Sequence, residues 1–257
     1  MQQTKRVLSN IFSPILALGI VLSVWAIIAE AENKPLVLPQ LNVIFDELGV
    51  LLAQASTYIA IGNTLLNTME AFAVSVLLAI FLSILGVVFP PLHRILSPIN
   101  TMLKATPTMA IILLSILWLD TEKCPPFIGF LIAFPLLYSL FRQSLLAVDK
   151  NLLEMAKVYK VSIFDRIKSI YIPSVLPNMI GSMQSVISLT IKVVIAGEIL
   201  AYVNNTIGFE MQMANSLVET ATLIAWTIAA IILSFLLELF FGLIKKTAEV
   251  KYGYLVK

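Results

Sequence analysis

Apolar runs of close to twenty residues recur along this chain, and nothing else in it constrains the fold as tightly. They run from about Ile11 to Ala29, Leu65 to Val88, Thr101 to Leu119, Pro126 to Leu146, Leu176 to Val203 and Thr220 to Ile244. Each is long enough to cross the hydrocarbon of a bilayer as a helix. There the backbone must satisfy its own hydrogen bonds, so only helices and closed barrels span. The alternation of a barrel strand is absent from these runs. Composition agrees, with 59% hydrophobic residues and only 12% charged, against about 25% charged in a soluble domain. The fold class expected is an all-α integral membrane protein with about six transmembrane helices.

The third run is the shortest, because its uncharged part begins only after Lys104, so a five-span reading stays open. Lys5 and Arg6 precede the first run, which is longer than the apolar core of a secretory signal and is expected to be a retained span.

With six spans the charges sort cleanly. Of 17 lysines and arginines, fourteen fall on the side that holds the N-terminus: residues 5, 6, 94, 104, 142, 150, 157, 160, 166, 168, 245, 246, 251 and 257. Lys34 and Lys123 fall opposite, and Lys192 lies inside a span. The positive-inside rule then places both termini, and the loop between spans four and five, in the cytoplasm. Glu30, Glu32, Asp46, Glu47, Asp120, Glu122, Glu210 and Glu219 collect on the other side. Between spans one and two, Leu41, Ile44, Phe45, Leu48 and Leu52 recur at helical spacing, giving an amphipathic helix that lies on the outer surface or packs against the bundle. The chain divides into residues 1–58, with the first span and this helix, a core over 59–246, and a tail over 247–257.

The loop between spans four and five is the chain's most informative charged stretch, "LLEMAKVYKVSIFDRIKSIYIPSVLP" over residues 152–177. Asn151 is placed to cap a first helix whose apolar stripe is Leu152, Leu153, Ala156 and Tyr159. Ser162 through Asp165 resembles a capping box that opens a second helix. Pro173 and Pro177 predict that this helix ends near Ile172 and that the next span starts near Leu176. Such a pair of helices suits a groove on a cytoplasmic partner or, equally, the anionic inner headgroups.

This stretch resembles the cytoplasmic EAA loop of the permease subunits of binding-protein-dependent ABC importers. Glu154 and Ala156 match its opening, Ser162 and Phe164 stand where its second helix starts, and Ile170 and Pro173 keep its spacing. Met155, Ile172 and Lys160 depart from it, Lys160 standing where the family has glycine. "LSPINTMLKATPTMAIILLSILWL" (96–119) and "IKVVIAGEIL" (191–200) are similar to the nitrate/sulfonate/taurine branch.

The resemblance implies a type I importer fold, with residues 151–173 as coupling loop and Leu153, Glu154, Met155, Ala156, Tyr159, Lys160, Ser162 and Phe164 as the contacts to an ATPase. It implies two ABC ATPase subunits as partners, a second permease copy forming a homodimer or heterodimer, and an external substrate-binding protein. The cargo is a small anion or vitamin precursor. ATP and Mg belong to the ATPase partner. This chain has no cofactor of its own and no phosphate-cradling glycine loop, so it is expected not to be an enzyme. It binds no nucleic acid. From the residues alone, a secondary transporter or channel driven by an ion gradient remains the alternative.

Glu70, Lys192, Glu198 and Glu238 fall inside spans, where an ionisable group is expensive and marks a pathway or a pair. Lys192 is expected either to pair with Glu70 or Glu198 or to meet an anionic solute. Glu238 is expected to be structural. His93, the only histidine, is expected in a solvated loop, with no metal site about it.

Overall fold

In a computed structural model of the chain, the backbone of residues 2–32 and 34–252 and the side chains of residues 16–17, 19–32 and 34–251 are described. Lys5, Arg6, Lys257 and the first residues of the first expected span lie outside the described side chains. Among the described residues eleven α-helices follow one another: α1 (Gln2–Glu32), α2 (Leu41–Ala53), α3 (Ala55–Val88), α4 (Pro90–Ala105), α5 (Thr108–Trp118), α6 (Cys124–Leu146), α7 (Lys150–Val158), α8 (Ile163–Arg166), α9 (Ile172–Ala201), α10 (Ile207–Ser216) and α11 (Thr220–Tyr252). Among the described residues four stretches, 55–88, 121–146, 163–201 and 220–251, are long and apolar enough to cross a membrane. Helices α4 and α5 would make a fifth if their bent pair is one span.

That bend corrects the third expected span. Helices α4 and α5 meet at 98°. Pro107 disfavours helical geometry at Thr106, whose backbone is extended (φ −69°, ψ 128°), and it has no N–H to carry the ladder across. Helix α5 is 11 residues long, about 16 Å, half of what a crossing requires. Helix α4 lies against α6 through polar contacts. Asn100 and Lys104 both donate to Ser139 Oγ, at 2.8 and 3.2 Å, and His93 Nδ1 lies 2.8 Å from the Tyr138 hydroxyl. His93 is thus a half-buried helix residue and not the solvated loop residue expected.

Helices α3, α6 and α9 form the centre. Gly129 of α6 lets all three backbones close up, since a Cβ there would stand 2.8 Å from Ala71 of α3 and 2.8 Å from Val194 of α9. Phe72, Leu137, Phe141 and Ile187 fill one half of the core, and Phe72 meets Phe241 of α11 edge to face at 5.3 Å. At the other end, Ile111, Ile112, Cys124, Ile128 and Val193 pack α5 between α6 and α9. Three hydroxyls within the core turn back onto their own helices, Thr68 on Thr64 O, Ser75 on Ala71 O and Thr190 on Val186 O. Their polarity is thereby spent locally.

Helix α2 packs partly on the bundle. Ile44 and Leu51 are buried, Leu51 against Ala225 and Trp226 of α11, while Phe45 and Leu52 stay exposed. Its position helps define one end of the molecule, where residues 36–64, 119–128 and 198–226 gather. Leu36 O accepts from Thr220, and Asn63 donates to Asn205 O at 2.8 Å. The opposite end holds α4, α7, α8 and the last turns of α11 around Lys245.

Candidate functional site

The 147–172 segment forms a helical elbow with a defined corner. Asp149, not Asn151, caps α7: its carboxylate accepts from Asn151 N at 2.8 Å. The helix ends in a Schellman turn, in which Val161 N donates to Ala156 O at 2.9 Å and Lys160 N to Lys157 O at 3.0 Å. The residue that takes the left-handed conformation there is Lys160, at φ 50°. The turn therefore keeps a glycine-type geometry without its glycine. Beyond it Ser162 caps α8, its Oγ accepting from Asp165 N at 3.1 Å and donating to Asp165 Oδ2 at 2.7 Å, so the pair expected of a capping box meets through the Ser162 hydroxyl. Arg166 Nε donates to Val161 O at 3.0 Å and closes the corner.

No break follows at Pro173. The helix continues from Ile163 to Ala201, and a single wide turn over Ile167–Tyr171 absorbs the proline, with Ile172 N donating to Ile167 O. A proline leaves the carbonyl four residues back without its donor, and a π-turn spaces that carbonyl away from the ring. The elbow thus runs directly into the span.

Side chains divide on this elbow. Ala156 is buried and Leu152 and Leu153 are half-buried, facing the bundle. Met155, Val158, Tyr159, Ile163 and Phe164 are exposed by between 51% and 78%, so Tyr159 leaves the stripe that spacing assigned it. Glu154, Lys157 and Lys160 surround this apolar tip and are exposed.

The second constellation centres on Glu198, fully buried near the far end of α9. Oε1 accepts from Asn67 Nδ2 at 2.9 Å, and Oε2 accepts from Thr64 Oγ1 at 2.9 Å and from Gly208 N at 3.2 Å. Thr64 Oγ1 in turn accepts from Ile207 N at 3.0 Å, and Thr206 Oγ1 accepts from Phe209 N at 3.2 Å. The N–H groups of Ile207, Gly208 and Phe209 in the first turn of α10 thus each have a side-chain partner, and Glu210 N donating to Thr206 O begins the helix's own ladder. A Cβ on Gly208 would come within 2.4 Å of the Glu198 Cβ. One carboxylate binds α3, α9 and α10 together. Glu210, one turn along α10, has its carboxyl pushed above the ordinary range by burial.

The other intramembrane charges are placed apart from it. Lys192 is exposed on α9 and has no hydrogen bond or ion pair among the described residues. Glu70 is exposed on α3, lining a 340 Å³ recess with Glu122, Lys123, Phe127 and Phe130. Glu238 accepts from Ser188 Oγ at 3.0 Å. Neither expected pair with Lys192 forms within the chain. Thr64, Asn67 and Gly208 went unnoticed in the sequence, where the available signal was Thr64 and Asn67 spaced along one face of an otherwise apolar run.

Residues 75–249 match the family described as binding-protein-dependent transport system inner membrane component. Solved structures share the fold. One, of the MetNI methionine ABC transporter in inward-facing conformations, superposes with a TM-score of 0.61 at 12% identity, over 74% of this chain and 93% of that one. Another, of an amino acid ABC transporter with histidines, gives 0.60 at 16% identity, over 76% and 94%. No curated protein matches the chain. The matched segment takes in the end of α3, the elbow, the long helix through Glu198 and nearly all of α11, and the chain is a multi-pass membrane protein that belongs to the family of inner membrane components of binding-protein-dependent transport systems.

Proposed function

We propose that the chain is the permease subunit of an ATP-driven importer, paired with a second permease copy and forming the path along which a small solute crosses. Two ATPase subunits bind and hydrolyse ATP with Mg, and an external binding protein delivers the solute. Segments 96–119 and 191–200 favour a nitrate-, sulfonate- or taurine-like anion, or a vitamin precursor, as cargo. Both termini and the elbow face the cytoplasm.

The observation that carries this reading is the elbow's tip. Five large apolar side chains, Met155, Val158, Tyr159, Ile163 and Phe164, are left uncovered by the chain on a corner fixed by a Schellman turn and the Ser162 cap. A helix that presents such a face beside charges fits an apolar groove on a partner. Lipid headgroups would engage the lysines and arginine but require no such rigid corner. The long helix from Ile163 to Ala201 then carries displacement of the elbow into the membrane.

Tyr159→Ala with Phe164→Ala in the reconstituted complex tests the proposal. Uptake driven by ATP should fall at least tenfold, with the permease still inserted and the ATPase either lost on purification or hydrolysing without transport. Unchanged ATP-driven uptake rejects the docking role. Uptake that follows an ion gradient and ignores ATP rejects the importer in favour of a secondary transporter. Ala156→Asp is a poorer probe, since Ala156 is buried and its loss would unfold the elbow.

A further inference from the structure

Helix α9 is enclosed on most of its circumference. Starting from Lys192 and turning 100° per residue, Val193 packs with Ile111 and Ile112 of α5. Thr190 and Val194 meet Gly129 of α6. Glu198 is bound to α3, and Ile191 and Ile195 pack with Ala225 and Trp226 of α11. What remains is an arc of about 80° bearing Asn178, Ser182, Ser185, Leu189, Lys192 and Ala196. Four of these are exposed and the other two are half-covered.

This sector is unlike the chain's lipid-facing surfaces. The exposed stripe of α3 carries Leu66, Val74, Leu77 and Phe81, and that of α11 carries Ile232, Phe235, Leu236 and Leu239. The α9 sector instead carries an amide, two hydroxyls and an ammonium. Lys192 is nine residues from the end of α9 at Ala201, about 14 Å along the helix, close to the middle of a hydrocarbon layer about 30 Å thick. An ammonium at that depth needs water or a counter-charge. The carboxylates inside the spans make no ion pair with it: Glu198 holds Thr64, Asn67 and Gly208 on another face of the helix, and Glu238 accepts from Ser188, one turn from Lys192 on α9, without reaching the ammonium. Glu70 faces the recess beside Phe127 and Phe130.

We propose that the polar sector of α9 lines the water-filled path and that Lys192 is its charge-selecting residue, attracting anionic solutes and repelling cationic ones at mid-membrane. This deepens the permease reading and rests on it. Of the two fates open to Lys192, a structural pair or a solute contact, the geometry within the chain favours the second.

The experiment needs no knowledge of the natural solute. In membranes containing the full complex, Leu189→Cys and Ser185→Cys are each treated with a small anionic methanethiosulfonate, the sulfonatoethyl reagent, and with its trimethylammonium counterpart. The sole native cysteine, Cys124, is buried, and the chain without an added cysteine gives the background. Both positions should react, the anionic reagent faster. Replacing Lys192 by Gln should reduce the anion-to-cation rate ratio by about tenfold, and Lys192→Arg should preserve it. Reaction with a ratio unmoved by Lys192→Gln overturns the selecting role while leaving the permease reading intact. Reactivity no greater than that of Phe235→Cys on the lipid-facing side of α11 overturns the aqueous path itself. The elbow variants test the permease reading separately, through ATP dependence.

Discussion

At Lys160 the chain accepts a local cost to keep a shape. A side chain in the left-handed region costs roughly 1 to 2 kcal/mol, yet the two hydrogen bonds of the Schellman turn, from Lys160 N and Val161 N, hold the residue there at φ 50°. Lys160→Gly removes that strain and adds backbone freedom to the unfolded chain, for a net gain of roughly 0.5 to 1 kcal/mol. The Val161 amide, which opens when the turn opens, should therefore exchange its hydrogen about two- to fivefold more slowly. The reverse holds at Glu198, where three donors converge on a carboxylate. Glu198→Gln sets an NH₂ against either Asn67 or the Thr64 and Gly208 donors, and should cost about 1 to 3 kcal/mol, seen as a lower melting temperature in detergent. Gly208→Ala should cost more, since its methyl would overlap the Glu198 Cβ. A Glu198→Gln protein that melts like the parent would show that the carboxylate does not tie α10 to the bundle.

At the scale of elements, what the sequence reveals depends on how local the cause is. The Ser162 cap is legible because Ser162 and Asp165 answer each other within one turn. Pro107 ends a helix as expected of a proline, while Pro173 does not, since a π-turn over Ile167–Tyr171 lets the helix run on. That rescue depends on hydrogen bonding spread over five residues and is invisible to any rule applied to the proline alone. The Glu198 cluster is harder still, because Thr64 and Glu198 lie 134 positions apart and only tertiary packing joins them. The unbroken helix has a consequence for coupling. Its 39 residues make a strut about 58 Å long, reaching from the elbow to the carboxylate knot. Inserting Gly-Gly after Tyr171 should leave ATPase binding intact and abolish ATP-driven uptake, measured in proteoliposomes. Normal uptake would mean that the elbow's motion reaches the membrane by another route.

Across the whole molecule, charge and fold sort together. Contacts place Lys34 and Lys123 at the end defined by residues 36–64, 119–128 and 198–226. Arg94, Arg142, Lys245 and the elbow's five cations, Lys150, Lys157, Lys160, Arg166 and Lys168, gather at the other. A helix bundle alone has no preferred direction across a bilayer, and the asymmetry of lysine and arginine supplies one. The cationic end should face the cytoplasm, which is also where an ATPase could meet the elbow. Intact cells carrying Lys34→Cys or Lys157→Cys and treated with a membrane-impermeant maleimide should label Lys34→Cys alone, and Lys157→Cys should label only after the membrane is opened. Both positions are exposed, so failure to label cannot arise from burial. The inverted pattern would place the apolar tip outside, away from any ATP, and would remove the basis for coupling at the elbow. Labelling of both positions in intact cells would mean that the ends do not lie across one bilayer, and the bundle's division into two ends would no longer describe how the chain sits in the membrane.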